Sequence, residues 1–335
     1  MDTDKMPQHL KGLLNFCLKE GSEQKFEEMD PERAQFLRNV LQTINVDVVK
    51  QLKKRIQNVL ENMNSSEDED ISFVLSNLDD ILYTVENMDL AMVFIKADGL
   101  LLLKDLSTSP NSEYKQAAAA ILAAVVQNNI EAQKIVLNNE ILIELVKNIE
   151  SSDDLGLVKQ NILALSCSIR GYPNGLSSFI KLDKLESLTR RFLALYETKK
   201  EDEKSGLLSS IFTKFSFFVF AIVGEMSDED LIDFRSVNNI QTLIAAMTKA
   251  KPMEDFLSRA LNRLAVDLPK NEDVDEYKQS FVNFKKEIVP KISQESRECL
   301  GEFIKRKLDN LDGLANDDFD EDIKQTNLRL KSIFL

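Results

Sequence analysis

The chain has 335 residues, of which only 10 are Gly and 7 are Pro, where average usage would supply about 40 of the two together. That deficit excludes turn-rich sheet architectures, and 43% hydrophobic with 29% charged residues excludes wholesale disorder. With 42 Lys and Arg against 56 Asp and Glu, the net charge is −14, which repels phosphate polyanions and acidic lipid, so neither nucleic acid nor a membrane is an expected partner.

The start, MDTDKMPQHLKG, lacks the charged and then apolar regions of a secretory signal, and no stretch reaches the roughly 20 uninterrupted apolar residues of a membrane span. Cys17, Cys167 and Cys299 are odd in number and widely spaced, which gives no basis for a disulfide framework or a zinc site. A soluble, cytoplasmic chain is expected. Residues 1–63 are read as a flexible helical arm of two or three short amphipathic helices from residue 6 onward. Asp30-Pro31-Glu32-Arg33 supplies a cap, a Pro at the first helical position and an acidic first turn for a helix to about Ile44. A second helix is expected over Val46 to Met63, where Val49, Leu52, Ile56 and Leu60 recur at helical spacing. Residues 64–70, Asn-Ser-Ser-Glu-Asp-Glu-Asp, break the apolar pattern as a solvated acidic linker would, and a domain boundary is placed there.

From Ile71 the chain alternates helical runs with short polar breaks. The segment Gln116 to Gln127 overlays Lys159 to Arg170 with a shift of 43 residues, and each copy is followed by a polar break and two further helices. Three helices per ~43 residues is the armadillo or HEAT period. A third copy fits Thr213 to Gly224 after a polar insertion at Glu197 to Ser205, and a fourth fits Asp255 to Val266. A three-helix unit cannot bury its own apolar face and must stack on its neighbours. The predicted fold is therefore an all-α, right-handed armadillo superhelix of four repeats over residues 71–268. C-terminal capping helices interrupted at Pro290 are expected over 269–308. An acidic tail with a final helix from Ile323 is expected over 309–335.

No catalytic constellation emerges. The single histidine, His9, sits in the arm, and neither GxGxxG nor GxxxxGK[ST] occurs. The acidic run Asp317 to Asp322 fails as a calcium loop, because with Gly313 as the turn glycine Leu308 stands where the first acidic ligand belongs. No paired carboxylates sit in an apolar run that would raise a pKa. No enzyme activity, cofactor or metal is expected. Phe215-Ser216-Phe217-Phe218-Val219-Phe220 reads as core at helical spacing rather than as a ligand box.

A solenoid offers instead a long concave surface lined by the last helix of each repeat. Positions i, i+4, i+7 and i+11 of the four copies give one stripe. It comprises Gln116, Ala120, Ala123 and Gln127; Lys159, Leu163, Ser166 and Arg170; Thr213, Phe217, Phe220 and Gly224; then Asp255, Arg259, Asn262 and Val266. A core-facing stripe would not carry Lys159, Arg170 and Arg259, so this stripe is expected to be the partner-binding face.

Glu86-Asn87-Met88-Asp89, Phe94 and Gly99-Leu100 resemble the opening of the armadillo domain in the cytosolic nucleotide exchange factors of heat-shock protein 70 chaperones. Similar matches follow in order: Gln127-Asn128-Asn129, Ala132-Gln133, Val136-Leu137, Ala164-Leu165-Ser166-Cys167, Ile169-Arg170 and Leu182-Asp183. In the arm, Leu10-Lys11-Gly12-Leu13-Leu14, Gly21-Ser22-Glu23 and Glu32-Arg33 match as well. The chain departs from the family in having Gln116-Ala117 where a basic–aromatic pair is usual, no Trp, and an unusually Phe-rich third concave helix. The resemblance implies a monomeric co-chaperone whose concave face grips a lobe of the chaperone's ATPase domain and accelerates ADP release, with the N-terminal arm at the peptide site assisting client release. The alternative is an armadillo adaptor that binds an extended peptide without affecting nucleotide exchange.

Overall fold

In the computed structural model, described for residues 31–138, 140–199, 206–227, 230–231, 234–265, 284–311 and 318–335, the regular elements are helices, with no strand among the described residues. The expectations for residues 6–30, 200–205 and 266–283, and for His9 and Cys17, lie outside these residues. The chain divides into a small unit, Met1–Gln51, and a large one, Leu52–Leu335.

Helix α1 (Pro31–Asn62) begins at the predicted Pro and crosses the division between the units. It replaces the two shorter helices expected there, because residues 43–46, Thr-Ile-Asn-Val, hold neither Gly nor Pro to end it. Helix α2 (Asp68–Val85) precedes the repeats. The first repeat is α3 (Met88–Lys96), α4 (Gly99–Thr108) and α5 (Ser112–Val126), and the second is α6 (Ile130–Leu137), α7 (Ile141–Ser151) and α8 (Leu155–Ile169). The third is α9 (Pro173–Lys181), α10 (Leu185–Lys199) and α11 (Gly206–Glu225). Helices α12 (Val237–Lys249) and α13 (Glu254–Ala265) belong to the fourth, and α14 (Gln294–Leu311) with α15 (Asp318–Phe334) end the chain.

The period is written into the backbone. Asn87 and Asn129, 42 residues apart, cap α3 and α6 with their side chains, and Asn111 and Asp154, 43 apart, cap α5 and α8. Left-handed residues recur at the same joints, at Asp98, Glu140 and Asp183 before the second helices of the first three repeats and at Asn128 and Gly171 after the third helices of the first two. Adjacent repeats are also tied through these caps. The Ser112 hydroxyl donates to Asp154, and that bond, with the amides of Leu157 and Gly156, holds the Asp154 carboxyl below the usual carboxylate range against the opposing effect of burial.

Stacking aligns like with like. The third helices α2, α5, α8, α11, α13 and α15 pack side by side in one row, and the second helices α4, α7, α10, α12 and α14 form another. Between the rows lies the core, to which α5 gives Ile121, Leu122 and Val125, α8 gives Ile162, Leu165 and Ile169, and α11 gives Phe212, Phe215, Phe218 and Ile222. By length and composition alone α11 is apolar enough to cross a membrane, although it contains Lys214. Its neighbours account for that character, since Phe192 of α10 stacks on Phe215 at 4.0 Å and Phe179 of α9 meets Phe218 edge-on at 5.3 Å.

Two expected boundaries move. The linker over 64–70 shrinks to residues 63–67, because Asp68, Glu69 and Asp70 form the first turn of α2, where carboxylates are favoured by the helix dipole. The end of α1 is not a separate arm. Leu52, Ile56 and Val59 are buried in the common core, Asn58 donates to Asn77 at 3.0 Å, and Arg55 pairs with Asp80 at 3.1 Å. Nor are residues 318–335 a solvated tail. Helix α15 packs on α13 and α14 with Leu330, Ile333 and Phe334 buried, again behind an acidic first turn. Glu254 of α13, itself buried, accepts from Arg306 at 2.8 Å and Lys307 at 2.7 Å of α14, which locks this terminal pair to the stack. Leu330→Ala is therefore expected to cost about 2–5 kcal/mol in urea unfolding; a loss within about 0.5 kcal/mol, as for a solvated position, would return α15 to the status of a tail.

Candidate protein-binding face

The row of third helices is covered on one side by the second helices and on its flanks by its own members, which leaves one arc of each helix open. On α5 this arc carries Glu113, Gln116, Ala117, Ala120, Ala124 and Gln127, and on α8 Lys159, Gln160, Leu163, Cys167 and Arg170. Thr213, Lys214, Phe217, Phe220 and Ala221 continue it on α11, and Phe256, Arg259 and Asn262 on α13.

Eleven of the sixteen stripe positions lie in this arc; Gly224 and Asp255 are exposed beside it, Val266 lies outside the described residues, and two members are buried. Ala123 is 4% exposed and Ser166 is 9% exposed. Both occupy the i+7 position, which at 100° per residue falls about 20° behind the first residue, at the edge of the arc, where the larger Phe220 and Asn262 of the later repeats still reach water in part. The open arc is centred about 50° the other way. Sequence reasoning consequently missed a whole row, one residue after each stripe start: Ala117, Gln160, Lys214 and Phe256.

The N-terminal part of the face is hollow. Two adjoining depressions of about 540 and 370 Å³ share Leu82, Ala120 and Gln160, and small side chains at Ala117, Ala120 and Ala124 leave the space between α2, α5 and α8. Their rims carry Asp79, Glu86 and Glu113. Over α8 to α13 the sign changes, with Lys159, Arg170, Lys214 and Arg259 in the arc. Two of these have partners within the chain. Arg259 pairs with Asp322 of α15 at 3.1 Å, so part of the acidic cluster expected to be solvated is spent on this face. Arg170 lies with its guanidinium carbon 4.7 Å above the ring of Phe217 and its Nε 3.9 Å from Glu225.

The Arg170 backbone is held as firmly. Its carbonyl accepts from the buried Gln133 amide at 2.9 Å, and Gly171, at φ +72° where a side chain would be strained, donates its N–H to Glu225 at 2.8 Å. The neighbouring Cys167 thiol is pushed up by burial, against the pull of Arg170 and Lys214, so it stays protonated near neutral pH. No cluster of metal-ligating side chains occurs among the described residues.

No protein-family model matches the sequence, and no curated protein matches it. Solved structures do match the chain. A designed armadillo repeat protein in complex with the peptide (KR)4 superposes with a TM-score of 0.56 at 15% identity, over 85% of this chain and 99% of that one. Computationally designed armadillo repeat proteins for modular peptide recognition give 0.54 at 15% identity, over 85% of this chain and 100% of that one. The fold is an armadillo-repeat stack. At such identity the likeness concerns the backbone, and the chemistry of the armadillo face is this chain's own.

The pairing of Arg170 separates it from Lys159, for which no ion pair occurs among the described residues. Arg170→Glu sets a carboxylate against Glu225 and removes the contact with Phe217, so it is expected to lower stability by about 1–2 kcal/mol. Lys159→Glu is expected to stay within about 0.5 kcal/mol. Urea unfolding of the two variants checks this, and equal losses would contradict the assignment of Arg170 to an internal contact.

Proposed function

We propose that the protein is a nucleotide exchange factor for heat-shock protein 70 chaperones of the cytoplasm, and that it binds the chaperone's ATPase domain across the open face of its third helices. The observation that carries the reading is the face itself, a continuous surface over α5, α8, α11 and α13 that the described residues leave uncovered. The resemblance to the exchange-factor family supplies the partner. Its matched residues keep step with the repeats, since Asn87 and Asn129 cap successive first helices and Asp183 takes the left-handed position of the third repeat.

In this reading the face grips a form of the ATPase domain that is incompatible with a closed nucleotide cleft. Binding then weakens ADP, and by linkage ADP weakens binding of the exchange factor by the same factor. ATP enters sooner and the client leaves, with the N-terminal arm at the chaperone's peptide site.

A peptide-binding scaffold is the second reading, favoured by the designed armadillo neighbour in complex with (KR)4. The cations Lys159, Arg170, Lys214 and Arg259 oppose a Lys-Arg peptide along the C-terminal half of the face. Stopped-flow release of labelled ADP from a cytosolic heat-shock protein 70 separates the two. An exchange factor at saturating concentration is expected to accelerate release at least tenfold. Unchanged release would favour the scaffold.

A further inference from the structure

We propose that the binding energy of this face is concentrated in one cluster, Arg170, Lys214, Phe217, Phe220 and Phe256, and that it takes a partner surface presenting a carboxylate beside an apolar side chain. The proposal deepens the exchange-factor reading and rests on it for the identity of the partner. Phe256 meets Phe217 edge-on with ring centroids 5.3 Å apart and Phe220 at 5.7 Å, and the Arg170 guanidinium carbon lies 4.7 Å from the centre of the Phe217 ring. All three rings are half-buried. They are thus held in place by one another while part of each ring remains in water.

Rigid, partly exposed aromatics next to Arg are the composition that dominates protein interfaces, because little side-chain entropy remains to be lost on docking. The Arg170 side chain is 38% exposed and its approach to Glu225 is long at 3.9 Å, so the exposed part of its guanidinium can take a partner carboxylate. Lys214, three residues before Phe217 on α11 and in the same open arc, adds the attraction that brings an acidic surface here. On a chain of charge −14 a local group of cations on the open face steers where an acidic partner lands. The alanine-floored hollow over α5, rimmed by Asp79, Glu86 and Glu113, offers neither an anchor nor the right charge.

The test is calorimetric titration of the full chain against ADP-bound heat-shock protein 70. Phe256→Ala is expected to weaken binding at least tenfold, and Lys214→Glu at least fivefold with a flatter salt dependence. Lys147→Glu, the same charge change on the second-helix row, should stay within twofold. Lys214 is solvated enough for its variant to fold, and melting temperatures verify all three. If the wild type binds while Phe256→Ala and Lys214→Glu remain within twofold of it, the cluster is not the anchor. If the wild type does not bind the chaperone, the exchange-factor reading fails, and the cluster is then read by fluorescence anisotropy with a labelled peptide of four Glu-Leu repeats. Binding that both variants weaken upholds the cluster, and no binding overturns it.

Discussion

Each repeat is completed only by its neighbour, and from that constraint the rest of the molecule follows. A third helix such as α8 buries its flanks against α5 and α11 and its base against α7, so that three of its sides are hydrophobic by necessity and one is left to water. Because every third helix obeys the same rule, their open arcs align into a continuous face. The ends need a helix that closes the row, and α2 and α15 do so. Both begin with acidic residues in the sequence, and their later turns carry residues that enter the core.

That double role explains which parts of the structure could be read from sequence. The ~43-residue recurrence was legible because α5 and α8 carry nearly the same pattern of apolar positions, and the caps Asn111 and Asp154 repeat with it. The two row ends were not. Asp68-Glu69-Asp70 and the acidic run ending at Asp322 look like solvated linkers when charge is weighed alone, yet each opens a helix whose buried residues, Val74 and Leu78 or Leu330 and Ile333, come later. The row of third helices was legible, and eleven of the sixteen stripe positions fall in its open arc. The centre of the stripe was off by about 40°, because a pattern of apolar and charged residues cannot tell whether the flank of a helix meets its neighbour or water. Ala123 and Ser166 meet a neighbour; Phe256 and Lys214 meet water in part.

The open face is divided chemically as well as continuous. Small residues and carboxylates occupy the end over α2 and α5, and aromatics with cations occupy the stretch from α8 to α13. Internal pairs set that second zone in place, Glu225 and Gly171 around Arg170, and Asp322 against Arg259. The aromatic enrichment that departs from the resembled family, at Phe217 and Phe220, thereby falls where the face is also basic, while the first repeat, which has Gln116-Ala117 in place of a basic–aromatic pair, is hollow.

Hydroxyl-radical footprinting of the chain alone and with heat-shock protein 70, the partner we propose for it, tests most directly whether this face binds. Oxidation of Leu163, Phe217, Phe220 and Phe256 should slow in the complex, while Leu101 and Ile143, exposed on second helices α4 and α7, should react at the same rate in both samples. Protection of Leu101 and Ile143 with unchanged reactivity at the three phenylalanines would place the partner on the opposite face and contradict the account.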